Sequence, residues 1–210
     1  MLNDLTASSL TQFHDNMLAN PQWPAVQPLD ERPGAWFWIE ANHRYNTLLW
    51  NEEDKARRTD VGASEIAACK HLIDQYNQKR NDAVEAIDEA ILSALDDCEP
   101  AQDARLNSET AGAMVDRLSI LSLKIYHMRE QTQRVDAGPE HIAKCSGKLQ
   151  RLLIQRQDLG GCFDSLLAEA REGRAYFKAY RQFKMYNDPA LNPYLYGSQR
   201  RGAAAGGIAQ

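Results

Sequence analysis

Cysteine is scarce in this chain and follows no pattern. There are four in 210 residues, Cys69, Cys98, Cys145 and Cys162, and no pair forms Cys-x-x-Cys. The spacings fit neither a zinc site nor a disulfide framework, so reduced thiols are expected. Long hydrophobic runs are also missing. The richest, Leu118 to Leu123, is six residues long and holds two serines, whereas a membrane span needs about 20 apolar residues. The first residues, Met1-Leu-Asn-Asp-Leu, carry neither a basic nor an apolar leader, so a cytoplasmic location is expected. No Gly-x-Ser-x-Gly elbow, no activated thiol and no glycine-rich phosphate loop occurs, which removes the commonest nucleophilic and P-loop chemistries. Positive charge is not in excess: 24 Lys and Arg stand against 29 Asp and Glu, for a net charge of −5. A dedicated nucleic-acid binder needs a strongly positive face, so that class is excluded for the surface as a whole.

Proline, rare outside one cluster, shows where helices can run. Four of the eight prolines fall between residues 21 and 33; the others are Pro100, Pro139, Pro189 and Pro193. Helix interiors reject proline because it lacks the backbone donor and clashes with the preceding turn. The proline-free windows 34–99, 101–138 and 140–188 are filled with apolar residues at alternating steps of three and four. Ile66, Cys69, Ile73, Tyr76, Arg80, Ala83 and Ile87 form one such series. Met114, Leu118, Leu121, Ile125 and Met128 form a second, and Cys145, Leu149, Leu152, Arg156, Leu159, Phe163 and Leu166 a third. That spacing puts each series on one face of a helix. Period-two alternation and Asn-Gly or Asp-Gly hairpin signals are absent.

The expected fold is therefore all-α: an elongated bundle of four or five long helices with a short N-terminal helix and an extended C-terminal strap. The helices are expected over Leu5–Met17, 34–58, 64–97 with Ser64 as cap, from Ser108 to near Gly138, and onward from Pro139 in its first turn. Gly160-Gly161 would kink the last helix or admit a close neighbour. Residues 1–196 are expected to form a single α-helical domain. The Gly- and Ala-rich 197–210 reads as a disordered tail.

Polar residues interrupt these stripes. On the 34–58 helix Trp36, Ile39 and Trp50 share a face with His43, Asn46, Glu53 and Arg57. Arg80, flanked by Asn77 and Asn81, sits in the next apolar series. Asp116 and His127 lie beside the third helix's stripe, and Arg156 breaks the last one. A buried unpaired charge is prohibitively unfavourable, so each residue must pair or reach water in a cleft. One reading is structural: Glu53 pairs with Arg57 along the helix, Arg80 meets an acid such as Asp116, and the asparagines satisfy backbone groups. The other is a polar pocket between helices, with His43 and His127 titrating near neutral pH. Glu40 and His43 form one Glu-x-x-His pair, but a di-iron bundle needs two such pairs and further glutamates. A second acidic stripe, Asp74, Asn77, Asn81, Glu85 and Asp88, reads as a solvated face or as a Mg²⁺ holder.

Residues 171–201 are set apart by charge. They carry seven Lys and Arg, two Asp and Glu, and seven of the chain's 17 aromatics. The segment thus holds +5 and leaves −10 elsewhere. Tyr176, Tyr180 and Phe183 would share one face of a continuing helix, with Arg174, Lys178 and Arg181 on another. That face would dock on the bundle, bind a small anion, or touch an acidic membrane surface. Tyr186 to Tyr196, with two X-Pro steps, reads as a turn-rich strap able to close the mouth of a pocket.

The blocks His43-x-x-Asn-x-Leu-Leu-Trp-x-Glu-Glu-Asp-x-Ala-Arg57, Asn77-Gln-x-Arg-Asn-Asp82, Asp116-Arg-Leu-Ser-Ile-Leu-x-Leu-Lys-Ile-Tyr-His127 and Lys184-x-Tyr-Asn-Asp-Pro-x-Leu-Asn-Pro193 resemble a bacterial family catalogued as domain of unknown function 4254. They span roughly residues 36–196. Members of that family often stand beside glycosyltransferases of cell-envelope glycan synthesis, and the resemblance implies a role in that pathway by association. It supplies no catalytic residues.

The blocks coincide with the misplaced polar residues. The leading expectation is a helical protein that binds a phosphorylated sugar, a sugar-nucleotide or a partner glycosyltransferase in a polar inter-helix cleft. Arg57, Arg80, Arg117, Lys124 and Lys184 would meet anionic groups. His43, Asn46, Glu53, Asp116 and His127 would orient the ligand or exchange protons with it. Trp50, Asn77, Asn81, Tyr186 and Asn187 complete the candidate lining. No cofactor is required in this reading. An alternative is a Mg²⁺-dependent phosphate enzyme resembling all-α nucleotide pyrophosphatases, with the metal on Glu53, Asp54, Asp82, Glu85 or Asp88. A third is a structural adaptor whose polar network sets helix register.

Overall fold

A computed structural model describes residues 4–25, 34–96, 98–182 and 188–194. Five α-helices dominate them: α1 (Ala7–Ala19), α2 (Ala35–Lys55), α3 (Ala63–Ala94), α4 (Ala111–Thr132) and α5 (Pro139–Arg171). Two strands of two residues, β1 (Arg105–Leu106) and β2 (Ala175–Tyr176), pair in parallel. The protein is thus an all-α helical bundle with four long helices and a short first one. No helix among the described residues is long and apolar enough to cross a membrane.

Local chemistry sets the helix boundaries, and in several places it differs from the sequence expectation. Thr6 caps α1 with a reciprocal box: its hydroxyl accepts from Ser9 N at 3.1 Å, and Ser9 Oγ accepts from Thr6 N at 3.0 Å. Gly62 rather than Ser64 precedes α3, without a side-chain cap. Thr110 rather than Ser108 caps α4, accepting from Ala113 N at 3.1 Å. That helix stops at Thr132, and a single 3₁₀ turn, Val135–Ala137, bridges to Gly138.

The largest correction lies at the end of α5. The helix does not run on through the aromatic segment. Gly173 takes a left-handed φ of 69°, Arg174 N donates to Glu169 O at 2.8 Å, and Gly173 N donates to Ala170 O at 3.1 Å. These paired bonds form a Schellman stop, which glycine makes without a Cβ clash. The chain leaves as β2, so Tyr176 and Tyr180 do not share a helical face. Phe177 is buried in the core and Tyr176 is half-buried.

Helices α2 and α3 pack along each other, as do α4 and α5, while α1 lies on α4 and α5. Leu10, Ile39, Ile87, Ile91, Leu118, Phe163 and Leu166 fill the shared core. Two helical glycines permit close approach between helices. A Cβ at Gly112 would stand 2.4 Å from Val84 O, and one at Gly160 would stand 2.9 Å from Ala7 Cβ. Gly160 therefore serves close approach, a Cβ at Gly161 would meet nothing within 4 Å, and α5 runs through both unbroken.

Residues 1–179 and 180–210 form two compact units. Within the second, Asp188 Oδ1 accepts from Ala190 N at 2.8 Å and Asn192 Oδ1 from Tyr194 N at 2.9 Å. These are side-chain-stabilised turns at the two X-Pro steps. Lys184, Tyr186, Asn187 and the tail 197–210 lie outside the described residues.

Candidate functional site

Asn46, Arg80 and Asp116, three of the polar residues that broke the stripes, meet between α2, α3 and α4. Asp116, on α4, is their hub. Its Oδ1 accepts from Asn42 Nδ2 at 2.8 Å and Asn46 Nδ2 at 2.8 Å, and Arg80 Nε lies 4.0 Å away. Asn46 Nδ2 also lies 3.1 Å from Ser119 Oγ, which meets His43 Nδ1 at 2.8 Å. Arg80 extends the other way, donating from Nη2 to the buried Asn81 Oδ1 at 3.1 Å. A continuous chain of contacts therefore links α2, α3 and α4 and carries a charge at the Arg80 end.

His43 does not reach solvent. It is fully buried, stacked on Trp23 at 5.4 Å and tilted against His14 of α1 at 4.4 Å. Burial, opposed in part by the backbone of His14, brings its pKa down to about 3. His14 is likewise held well below the ordinary histidine value, by burial first, then by the His43 ring and Arg156. Neither ring nitrogen of His14 has a hydrogen-bond partner among the described residues. Arg156 is accounted for nearby: it donates to Asp15 at 2.7 Å and to Ser122 at 3.3 Å. The two histidines are buried and neutral at physiological pH.

Above Asp116 a cleft of about 330 Å³ opens, within the range of small-molecule sites. Its polar lining is Asn46, Glu53, Asp54, Arg57, Asn77 and Arg80, with Trp50 as its aromatic wall. Arg57 is tied to Glu53 at 2.9 Å, as the helical spacing suggested. Asn77 and Arg80 come from α3, Arg57 from the turn after α2, the others from α2, and Ile120 and Leu123 of α4 add to the apolar part.

Trp50 and Asp54 also line a second chamber of about 530 Å³, between α2, α4 and α5. His127 stacks on Trp50 there, ring centres 4.7 Å apart and planes 10° from parallel, and its Nδ1 meets Glu130 at 2.8 Å. Lys124 borders this chamber and a groove between α4 and α5, where Arg117 is neutralised by Glu109 at 2.7 Å.

The weak metal candidates do not converge. Glu53 and Asp54 line the cleft, while Asp82 accepts from Gln78 at 2.6 Å and Glu85 lies one helical turn further along α3. Asp88 is buried and accepts Gly112 N–H at 2.6 Å. Glu40 pairs with Arg44 at 2.6 Å and not with His43. Among the described residues no three His, Cys, Asp or Glu side chains are placed to hold a metal ion.

Residues 36–179 match the sequence profile of the family described as "Protein of unknown function (DUF4254)". The chain belongs to that family. No curated protein and no solved structure matches it. The matched DUF4254 residues run from the start of α2 through β2 and end where the first compact unit ends. They include every residue of the cleft and of the Trp50 chamber. They exclude α1, so His14 and Asp15 lie outside the DUF4254 match.

Sequence reasoning missed Ser119 as the link between His43 and Asn46, and it missed Lys148 and Arg151 in the second chamber. The signal for the last two was present. Lys148, Arg151 and Gln155 follow helical spacing, but they flank the stripe that holds Leu152 rather than interrupt it.

Proposed function

We propose that this protein binds a phosphorylated sugar or a sugar-nucleotide in the α2–α3–α4 cleft, in the cytoplasm and beside a glycosyltransferase of cell-envelope glycan synthesis. The observation that carries this reading is the composition of the cleft. Arg80 is held only loosely by Asp116, its Nε 4.0 Å from the carboxylate, Asn77 offers a neutral amide, Glu53 offers an acceptor, and Trp50 offers a flat apolar face. Amides and carboxylates suit sugar hydroxyls, a guanidinium suits phosphate, and an aromatic wall suits the C–H face of a pyranose. The Asp116 network holds Asn46 and Arg80 in place, so little ordering remains to be done on binding.

Thermal-shift screening of the full chain tests this, using sugar 1-phosphates and nucleotide sugars with and without Mg²⁺. A ligand at 100 times its Kd stabilises the fold by about 2.7 kcal/mol, which for a domain of this size is roughly 5–10 °C in Tm. Arg80→Ala should abolish the shift, read against the variant's own unliganded Tm because the change also leaves Asp116 without its cation. A shift that persists in Arg80→Ala overturns the cleft as the site. A shift seen only with Mg²⁺ favours phosphate chemistry at Glu53 and Asp54. Co-purification of a glycosyltransferase with no ligand shift favours an adaptor.

A further inference from the structure

The chamber on the other side of Trp50 differs in character from the cleft. Its walls are Trp50, Met128 and Leu152, and three cations, Lys124, Lys148 and Arg151, stand around them. Asp54 is its single acid. In the cleft, by contrast, two acids face two arginines and Arg57 is already neutralised by Glu53. Lys124, Lys148 and Arg151 form no ion pair with any described residue. Three unneutralised cations around an apolar space repel one another and favour an anion. The apolar walls add a requirement for a hydrophobic or aromatic body on that anion.

We infer that this chamber takes a nucleoside diphosphate, with the base against the stacked Trp50–His127 pair and the diphosphate on Lys124, Lys148 and Arg151. The inference rests on reading the neighbouring cleft as a sugar-phosphate site, and it names the class of donor that site would take. Three features select this ligand. The stacked Trp50–His127 pair gives the chamber an aromatic wall for a planar base. Gln131 and Gln155 border the chamber with donors and acceptors for a base edge. The volume of about 530 Å³ is ample for a nucleotide. Trp50 and Asp54 belong to both spaces. The two spaces adjoin at these residues, so a sugar attached to the diphosphate would lie toward the cleft, on the side of Asn77. The bulk negative charge of the chain does not oppose this, because the local balance of the chamber is two positive charges.

Titration calorimetry on the full chain tests the assignment, with uridine, cytidine, adenosine and guanosine diphosphates as probes. Inorganic pyrophosphate, glucose 1-phosphate and dodecyl phosphate serve as comparison probes. At least one nucleoside diphosphate should bind ten-fold or more tightly than both pyrophosphate and dodecyl phosphate. Lys148→Met with Arg151→Met, both exposed on α5, should weaken that nucleotide ten-fold or more and leave glucose 1-phosphate within two-fold. Nucleotide binding no tighter than pyrophosphate overturns the inference, as does dodecyl phosphate binding equally well. So does a nucleotide affinity that the double variant leaves unchanged. If glucose 1-phosphate binds and requires Arg80 while no nucleotide does better, the inference fails and the cleft reading stands. If none of the probes binds, both fail.

Discussion

Replacing His43 by glutamine should make the protein less sensitive to mild acid, and the magnitude follows from its burial. The imidazole is fully buried, packed among Trp23, Phe13 and His14, and its pKa lies at about 3 instead of 6.5. The unfolded chain therefore takes up a proton as pH falls through 6.5, and the folded chain does not. A histidine with a depressed native pKa stabilises the fold above the unfolded value and loses that contribution as pH falls. Between pH 8 and pH 5 the loss from His43 alone is about 2 kcal/mol, since each pKa unit is worth 1.36 kcal/mol. His14 acts in the same direction. Asp88 opposes them: its carboxyl is raised to about 6, chiefly by burial, so it adds about 1.4 kcal/mol over the same range. A comparison of parent with variant cancels Asp88 and isolates the His43 contribution. Urea unfolding followed by far-UV circular dichroism at pH 8 and pH 5 gives it directly. At pH 8 His43→Gln should be the less stable protein, because the packing and the Ser119 contact are disturbed. At pH 5 that deficit should shrink by about 2 kcal/mol. An equal deficit at both pH values would refute a neutral, buried His43.

Two other substitutions probe the same packing logic. Gly112→Ala drives a Cβ to 2.4 Å from Val84 O and disturbs the N–H donated to Asp88. It should destabilise by about 1–3 kcal/mol, and an unchanged Tm would contradict the close approach of α4 to α3. Asp88→Asn removes the ionisation that burial disfavours while keeping an oxygen for Gly112 N–H. Because the parent loses stability as pH rises from the ordinary carboxylate value through about 6, the variant should gain stability relative to the parent between pH 4 and pH 7. Parallel urea curves at the two pH values would rule this out.

Where the sequence spoke through periodicity, it described the molecule well. The steps of three and four at Ile66–Ile87, Met114–Met128 and Cys145–Leu166 became α3, α4 and α5, because a stripe that must be buried leaves its period in the chain. The interruptions were equally readable: Asn46, Trp50, Glu53, Arg57, Asn77 and Arg80 line one cleft, and Arg80 does approach Asp116. Glu-Gly-Arg at 172–174 carried the stop signal of α5, but the aromatic spacing beyond it suggested continued helix. Local glycine chemistry prevailed there. The fate of His43 was not legible, because α2 alone cannot show that α1 and the Trp23 turn cover it. Asp88 was hidden for the same reason: its partner, the start of α4, lies 24 residues away in sequence. Partner choice across helices is set by tertiary packing, which one helix's period does not encode.

The claim that the space around Trp50 is a ligand site is tested most directly by the indole N–H resonance of Trp50. The chain has four tryptophans, and Trp50→Phe assigns the signal in a ¹⁵N–¹H spectrum. On titration with nucleotide sugars, the Trp50 indole signal should move saturably. The signal of Trp23, whose Nε1 is held by Thr47 Oγ1 at 2.9 Å inside the core, should stay in place. A nucleotide sugar that binds the protein and leaves Trp50 unmoved would contradict the account, and so would the failure of every nucleotide sugar to bind.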